Sequence, residues 1–446
     1  MSRQLFGTDG IRGVAGEYPL DPTTVHAAGM ALGNWCAQHA KPGAASVAIG
    51  MDTRESGGWI AEHLAAGLAR QGVRSRLAGV ITTPGIAYLT QTGDFAAGVM
   101  ISASHNPFQD NGIKMFGPGG YKLPDAEELQ IEKEILDLRV TAPAAVILSA
   151  EQELDERYME HLISTFRGTL AGRKIVVDCG NGAACRLGPD LLRRLGAKVV
   201  TMGCEPDGRN INLDCGALHV ENLAKRVAAE NADAGFAFDG DADRCIAVGA
   251  SGRIVDGDAV LLMVGRYLKS HGELPGNVVV ATVMSNLGLE KTLAAEGVQL
   301  VRTAVGDKYV LEEMVRRGAA VGGEQSGHVI FLKQATTGDG LLTCLRVLEV
   351  MVETGSSLDH LAGGLEVYPQ TLVNVRVKER RPLSELVAVN RAIRDAEAAL
   401  GGDGRVLVRF SGTEPLARVM VEGPTIESVS SHANLIAGVI RAELGG

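Results

Sequence analysis

Residues 239–244 read DGDADR, with Asp239, Asp241 and Asp243 separated only by Gly240 and Ala242 and placed just after the apolar run AGFAF. In an extended segment alternate residues face one side, so this spacing puts three carboxylates together. At ~4 Å and an effective dielectric near ~20, each like-charged pair costs about 4 kcal/mol, and three such pairs rival the stability of a whole domain. Positive charge must therefore sit among them. An all-oxygen ligand set selects a hard cation, and Mg²⁺ takes few carboxylates while keeping positions for water or a phosphate oxygen, so Mg²⁺ is the ion we expect. An EF-hand loop is excluded, because its later glycine and closing acidic residue are missing. The competing reading is an exposed acidic turn, since Asp and Gly are common turn formers.

Three further strings carry chemistry. Residues 101–107 read ISASHNP directly after an apolar run, with Ser104 beside His105 and Lys114 expected on a short loop beyond. Ends of strands are where α/β sites form, although Ser, Asn and Pro also make ordinary turns. Residues 322–328 read GGEQSGH, in which Glu324, Ser326 and His328 alternate and glycines let a ligand approach the backbone, a set suited to hydroxyl-rich ligands. Residues 409–418 read RFSGTEPLAR, where Arg409 and Arg418 bracket Ser411, Gly412 and Thr413. Two guanidinium forks, two hydroxyls and turn amides suit a phosphate, and the alternative is a hairpin turn with surface arginines. No GxSxG, GK or HE string occurs anywhere in the chain, which demotes serine-hydrolase chemistry and excludes Walker A and HExxH zinc sites.

The 446 residues carry a net charge of −10, from 43 Lys+Arg against 53 Asp+Glu. That balance argues against a nucleic-acid surface and requires any phosphorylated ligand to meet a local basic pocket. Arg12, Lys114, Arg244, Lys308, Arg409 and Arg418 all lie in or beside glycine-rich loops and supply one. No apolar stretch approaches the ~20 residues of a membrane span and the first twenty residues lack an apolar targeting core, so a cytoplasmic protein without membrane partners is expected. Seven scattered cysteines with no CxxC read as small buried residues in a reducing compartment.

The elements that must position these loops alternate. Strands are expected at 46–51 and 97–101 around a helix at 58–71; at 174–178, 197–202 and 234–238 around a helix at 184–195; and at 277–283 and 319–322 with helices at 286–296 and 308–317. The tail differs, with strands at 371–377 and 404–410 and helices at 384–400 and 426–443. We therefore expect an α/β protein of three similar units with mixed sheets plus a smaller C-terminal α+β domain, divided at 1–150, 151–255, 256–368 and 369–446.

Together the four strings resemble the α-D-phosphohexomutase superfamily, over essentially the whole chain. FGTDGIRG at 6–13, VMSNLGLE at 283–290 and TTGDG at 336–340 are most similar to its branch acting on glucosamine phosphates. The resemblance implies four domains around a central cleft and a phosphotransferase converting glucosamine 6-phosphate to glucosamine 1-phosphate, a product destined for UDP-N-acetylglucosamine and cell-wall precursors. It implies Ser104 as the phosphorylated nucleophile, selected over Ser102 because the family pattern places that serine immediately before His. It further implies one Mg²⁺ per subunit on Asp239, Asp241, Asp243 and a phosphoserine oxygen, and glucosamine 1,6-bisphosphate as intermediate and primer. Arg244 would contact the transferring group, Lys114 and His328 would move protons, Glu324 and Ser326 would hold sugar hydroxyls, and Arg12, His105 and Lys308 would line the substrate. Arg409, Ser411, Gly412, Thr413 and Arg418 would bind the non-reacting phosphate, and a homodimer is compatible with all of this. Lys308 departs from the family's usual Arg and loses its bidentate fork. The alternatives are a glucose or mannose phosphate mutase of the same superfamily, a sugar phosphatase with Asp239 as nucleophile and Asp241 as acid, and a binding protein that has kept the cleft.

Overall fold

The computed structural model describes residues 4–7, 9–40, 43, 46–138, 140–141, 144–379, 381–411 and 415–445. They form two compact units, one reaching from the N-terminal end to Met284 and including Leu300–Gly363, the other made of Ser285–Gln299 and the chain from Gly364 onward.

The first unit holds three sheets. Strands β1 (Ile11–Val14), β2 (Ser46–Met51), β3 (Arg74–Val80), β4 (Phe95–Ile101) and β5 (Asp110–Phe116) lie in the order β1-β5-β4-β2-β3. Strands β6 (Lys174–Asp178), β7 (Lys198–Met202), β8 (Ala234–Phe238), β9 (Cys245–Gly249) and β10 (Ile254–Val255) follow the order β10-β9-β8-β6-β7. Strands β11 (Val278–Thr282), β12 (Gln299–Thr303), β13 (Val321–Gly323) and β14 (Val329–Phe331) give β12-β11-β13-β14. Apart from β1 and β10, one arrangement repeats three times: second strand, first strand, third strand, then a fourth running antiparallel to the third. The rhythm of the sequence thus corresponds to a shared strand order and to mixed sheets, as expected.

The reason lies in burial. Every residue of β4, β8 and β11 is buried, the signature of strands covered on both faces by crossover helices. The turn from third to fourth strand is then the place where each sheet exposes polar residues at its end. Those three turns are 102–109, 239–244 and 324–328, and they carry Ser104, the three aspartates and His328.

Several strands were not read from the sequence. Lys114 lies within β5, opposite Met100 of β4, and not on a loop. The DGDADR segment is a tight turn instead of an extended run, with Ala242 at φ +54° in the left-handed region. The turn still gathers the carboxylates, because reversing the chain after Asp239 brings Asp241 and Asp243 back over it.

The second unit is an antiparallel sheet, β15 (Gln370–Arg376), β16 (Arg405–Phe410) and β17 (Leu416–Glu422), in the order β15-β17-β16. Helices Val387–Leu400 and Ile426–Leu444 bury Val389, Ala396, Ile436 and Ile440 against Val375, Val419 and Val421 of the sheet.

Helices Pro22–His39 and Gly57–Arg70 meet at two glycines: a Cβ on Gly29 would lie 2.1 Å from the Leu64 carbonyl oxygen, and one on Gly67 2.2 Å from that of His26. Gly67→Val is expected to force these helices apart and cost about 1–3 kcal/mol in a denaturant titration. An unchanged midpoint would show that the close approach carries no stability.

Candidate active site

The carboxylates come first because they are the costliest groups to bury. Asp239, Asp241 and Asp243 are 1%, 0% and 6% exposed, and one oxygen from each can be chosen so that all lie within 4.8 Å of one another. Protein groups answer part of this charge. Lys114, itself 1% exposed, places Nζ 2.8 Å from Asp241 Oδ2, 3.9 Å from Asp243 Oδ2 and 3.0 Å from Asp9 Oδ2. Burial works against its charge, yet Asp241, Asp9 and Asp243 outweigh it and hold the ammonium protonated well above the ordinary lysine range. Thr83 donates its hydroxyl to Asp241 Oδ2 and its amide, at 3.0 Å, to the Asp241 carbonyl.

Compensation is incomplete. Burial, followed by the charges of Asp243 and Asp241, pushes the Asp239 carboxyl up to about 8. Asp241 Oδ1 and Asp243 Oδ1 are buried with no hydrogen-bond partner. Two orphaned carboxylate oxygens in an all-oxygen cluster are what a hard metal ion would satisfy, and the residues present fit one.

The serine loop arrives from the first sheet. Ser104 is 2% exposed, adopts φ +53°, and donates Oγ–H to Asp239 Oδ2 at 2.6 Å. Its left-handed backbone is held from several sides. The amide donates to Ser102 Oγ at 2.9 Å, and Ser102 Oγ–H in turn donates to Asp52 Oδ2 at 2.6 Å. The Ser104 carbonyl accepts from Arg54 at 2.9 Å and from Asn212 Nδ2 at 3.0 Å. Arg54 also donates to the carbonyls of Asn106 (2.9 Å), Asp110 (3.1 Å) and Pro107 while its Nε lies 2.9 Å from Asp52 Oδ2. The side chain that shapes the loop is thus an arginine about fifty residues upstream. Of the two serines, Ser102 is spent on this scaffold and Ser104 faces the acids. His105 Nδ1 lies 3.4 Å from Ser104 Oγ, and burial, with Arg244 and Arg12 adding to it, lowers the ring's pKa.

The third loop closes on the other two. His328, 3% exposed, sets Nδ1 3.6 Å from Asp243 Oδ2, and its Nε2 accepts the Gly338 amide at 3.0 Å. Burial opposes charging the ring, but Asp243 and Asp307 raise it to about 8. Protonating Nε2 would turn the Gly338 contact repulsive, so the carboxylates and the amide pull this histidine in opposite directions. Gly327, at φ +90°, must be glycine, since a Cβ there would lie 2.4 Å from the Cys245 carbonyl oxygen. Through that approach Cys245 N–H bonds the Gly327 carbonyl at 3.0 Å, joining the third loop to the end of the metal loop.

Arg244 donates its amide to Asp239 Oδ1 at 3.2 Å, and its Nε lies 3.9 Å from Asp243 Oδ1. Arg12 pairs with Asp9, which also takes Lys122, and Lys122 reaches Asp307 at 2.6 Å. Asp9, Lys122, Asp307, Arg54 and Thr83 were missed in the sequence. Asp9 lies inside FGTDGIRG, and Asp52 with Arg54 follows strand β2, so the strand-end rule was available for them. Glu324 accepts from the Gly306 amide at 3.2 Å and from Ser326 Oγ at 3.4 Å, with Ser326 exposed. Lys308 stands apart from the acid cluster: its ammonium pairs with Asp125 at 2.5 Å, and its neighbour Asp307 makes the inward contact.

In the second unit, Arg409 of β16 sits directly opposite Arg418 of β17, beyond which Ser411 is buried. Burial, and then Arg418, lower the pKa of Arg409. Like charges facing each other across a ladder destabilise it, which an anion would relieve. Gly412 and Thr413 lie outside the described residues.

Four family models match the chain in order: phosphoglucomutase/phosphomannomutase alpha/beta/alpha domain I over residues 3–140, domain II over 156–252, domain III over 256–368 and the C-terminal domain over 372–438. The phosphoglucosamine mutase of Solibacter usitatus is 61% identical over 448 residues, covering 100% of both chains. That of Koribacter versatilis is 50% identical over 456 residues, covering 99% of this chain and 98% of its own. Among solved structures, a phosphoglucomutase/phosphomannomutase family protein of Burkholderia thailandensis superposes with a TM-score of 0.81 at 25% identity, covering 98% of this chain and 97% of that one. The N-acetylphosphoglucosamine mutase of Aspergillus fumigatus, solved with GlcNAc-6P and magnesium, gives 0.69 at 20% identity, covering 99% and 96%, a likeness of fold alone. With every domain of that architecture matched in its order and a relative of the same length agreeing at 61% of positions, this chain belongs to the phosphoglucosamine mutase family.

Proposed function

We propose that the chain is a cytoplasmic phosphomutase that converts glucosamine 6-phosphate to glucosamine 1-phosphate through a phosphorylated Ser104. The observation that carries this reading is the Ser104 hydroxyl at 2.6 Å from Asp239 within a buried carboxylate cluster that has oxygens to spare. The names of its full-length relatives support the choice of the amino sugar.

Asp239, Asp241 and Asp243 are the residues we assign to Mg²⁺, with an oxygen of the phosphorylated serine as a further ligand. The ion would supply positive charge to the phosphoryl oxygens as their phosphorus exchanges its bond to one oxygen for a bond to another. Phosphoryl transfer needs little covalent help, so alignment and charge carry most of the catalysis. Phospho-Ser104 gives its phosphoryl group to the 1-hydroxyl of glucosamine 6-phosphate. The serine–phosphorus bond breaks as the O1–phosphorus bond forms, and Lys114 and His328 are our candidates for the proton transfers: His328 to take the proton released from the 1-hydroxyl, and Lys114, held as an ammonium, to donate one to the oxygen that loses the phosphoryl group. The 1,6-bisphosphate then turns over and returns its 6-phosphoryl group to Ser104.

Arg244 and Lys114 stabilise the transferring group, Arg12, His105 and Lys308 line the substrate, and Glu324 and Ser326 receive sugar hydroxyls. Arg409, Ser411, Gly412, Thr413 and Arg418 take the phosphate that is not reacting. That site must accept either end of the sugar, a demand that guanidinium forks and backbone donors meet better than a tightly shaped pocket.

Ser104→Ala is expected to lower turnover by at least about three orders of magnitude and to abolish the phosphate adduct on the Ser104 peptide in mass spectra. Turnover near the native level would remove the phosphoserine mechanism. Chelation should abolish activity and lower the thermal midpoint, with Mg²⁺ restoring both in the native chain and restoring neither in Asp241→Asn. Full activity in chelator would overturn the metal assignment. In parallel assays kcat/KM for glucosamine 6-phosphate should exceed that for glucose 6-phosphate and mannose 6-phosphate by at least about tenfold, roughly 1.4 kcal/mol of transition-state preference. A neutral hexose phosphate turning over faster would refute the named substrate and leave the metal and nucleophile standing. Release of inorganic phosphate with an aspartyl adduct at Asp239 would mark a phosphatase instead.

A further inference from the structure

Lys114 stands on a strand of the first sheet and His328 on a turn of the third. A chain of ionic contacts runs from one to the other through three residues that carry no role so far. Lys114 Nζ lies 3.0 Å from Asp9 Oδ2, and Asp9 Oδ1 pairs with Lys122. Lys122 Nζ lies 2.6 Å from Asp307 Oδ2, and that same oxygen is 3.9 Å from His328 Nε2. Lys122 is the middle of the chain, one ammonium shared by carboxylates from two distant segments. Burial opposes its charge, but Asp307 and Asp9 outweigh burial and hold it protonated above the ordinary lysine range. Burial likewise pushes the Asp307 carboxyl up, and Lys122 followed by His328 outweighs it, so the carboxyl stays ionised. The bridge is therefore a fixed set of charges.

The backbone that bears Lys122 is tied in the same two directions. After β5 the chain turns back on itself: the Gly117 amide donates to the Tyr121 carbonyl at 2.9 Å, Lys122 pairs with Phe116 in an antiparallel bridge, and the Leu123 amide reaches the Met115 carbonyl at 3.1 Å. The returning segment thus lies along the strand that carries Lys114. On its other side, Thr336 donates its hydroxyl to the Gly120 carbonyl at 2.6 Å, and two residues further on the Gly338 amide donates to His328 Nε2 at 3.0 Å. The imidazole packs directly on Gly338, where a Cβ would lie 2.4 Å from Nε2. Side-chain charge and main-chain bonding therefore join the same turn to both groups.

We propose that Lys122 is a positioning residue of the mutase, and that the Asp9–Lys122–Asp307 bridge sets where Lys114 and His328 stand relative to each other. The inference rests on the proton-transfer roles given to those two groups under the proposed function. Without Lys122, Asp9 is free to close on Lys114 and Arg12, its other partners, and Asp307 loses the cation that holds it beside the imidazole. The carboxylate then left on the ring is Asp243, 3.6 Å from Nδ1. Both groups would shift relative to the substrate, and a misplacement of about 1 Å costs on the order of a hundredfold in rate.

The test measures kcat, KM and the solvent deuterium isotope effect on kcat for glucosamine 6-phosphate in the full-length, Mg²⁺-loaded protein and its variants. Lys122→Met should lower kcat about tenfold or more while KM moves by less than about threefold. Its isotope effect should exceed the native value, because misplaced groups make proton transfer limit the rate. Lys122→Arg keeps a cation between the two carboxylates and should recover kcat to within about threefold of native. The double variant Lys122→Met/Asp307→Asn should lose no more than Lys122→Met alone, since both changes open one bridge. Native kcat in Lys122→Met, or a loss of kcat with an unchanged isotope effect, would overturn the inference and leave the bridge a purely structural contact. Should Lys122→Met fail to fold, the near-isosteric Asp307→Asn gives the same comparison. Lys114→Met and His328→Ala, assayed alongside, separate the two levels of the argument. Near-native turnover in both would remove the proton-transfer reading and the bridge with it, whereas loss in both beside an undiminished Lys122→Met would remove the bridge alone.

Discussion

Mutual repulsion among three buried carboxylates is the constraint around which the first unit is built. A carboxylate cluster of this density is stable only if polar and charged groups reach it from outside its own loop, and they come from two other segments of chain. The Lys114 ammonium reaches it from a strand of the first sheet, and an imidazole nitrogen of His328 from a turn of the third. Each contact that lowers the electrostatic cost also ties a sheet to the loop that incurs it. Electrostatics and architecture are therefore one problem in this unit, and a substitution at Lys114 would disturb both.

The repeated strand order explains how three separate sheets can meet that demand. In each, the turn from the third strand to the antiparallel fourth emerges at the end of the sheet, so the same structural position delivers a hydroxyl in one copy, carboxylates in the second and an imidazole in the third. A site assembled this way needs no special framework for each group. It needs three copies of one framework facing a common point.

Much of this was legible in the sequence, and the parts that were not have physical causes. The buried parallel strands were clear because apolar runs such as AGFAF and IVVD have no other use, and the carboxylates were clear because charge at that spacing demands an explanation. The antiparallel fourth strands were obscure: β5 reads DNGIKMF, with polar residues that only its position at the site accounts for. Arg54 was obscure for a different reason. Its partners are main-chain oxygens of Ser104, Asn106, Pro107 and Asp110, which leave no trace in residue type. Asp9, Lys122 and Asp307 form their network over separations of more than a hundred residues, where spacing conveys nothing.

The grip of Arg54 on those carbonyls bears on which substitutions the Ser104 loop can tolerate over generations. Carbonyl oxygens belong to every residue alike, so this grip itself asks nothing of the side chains at Asn106, Pro107 and Asp110. Arg54 has no such latitude. Lysine offers three donors from a single point and no planar fork, and could not span four acceptors and the Asp52 carboxylate at once. The burden of preserving the nucleophile's posture is thereby moved off the loop that bears it and onto a residue of an adjoining strand end, where variation would be the rarer event.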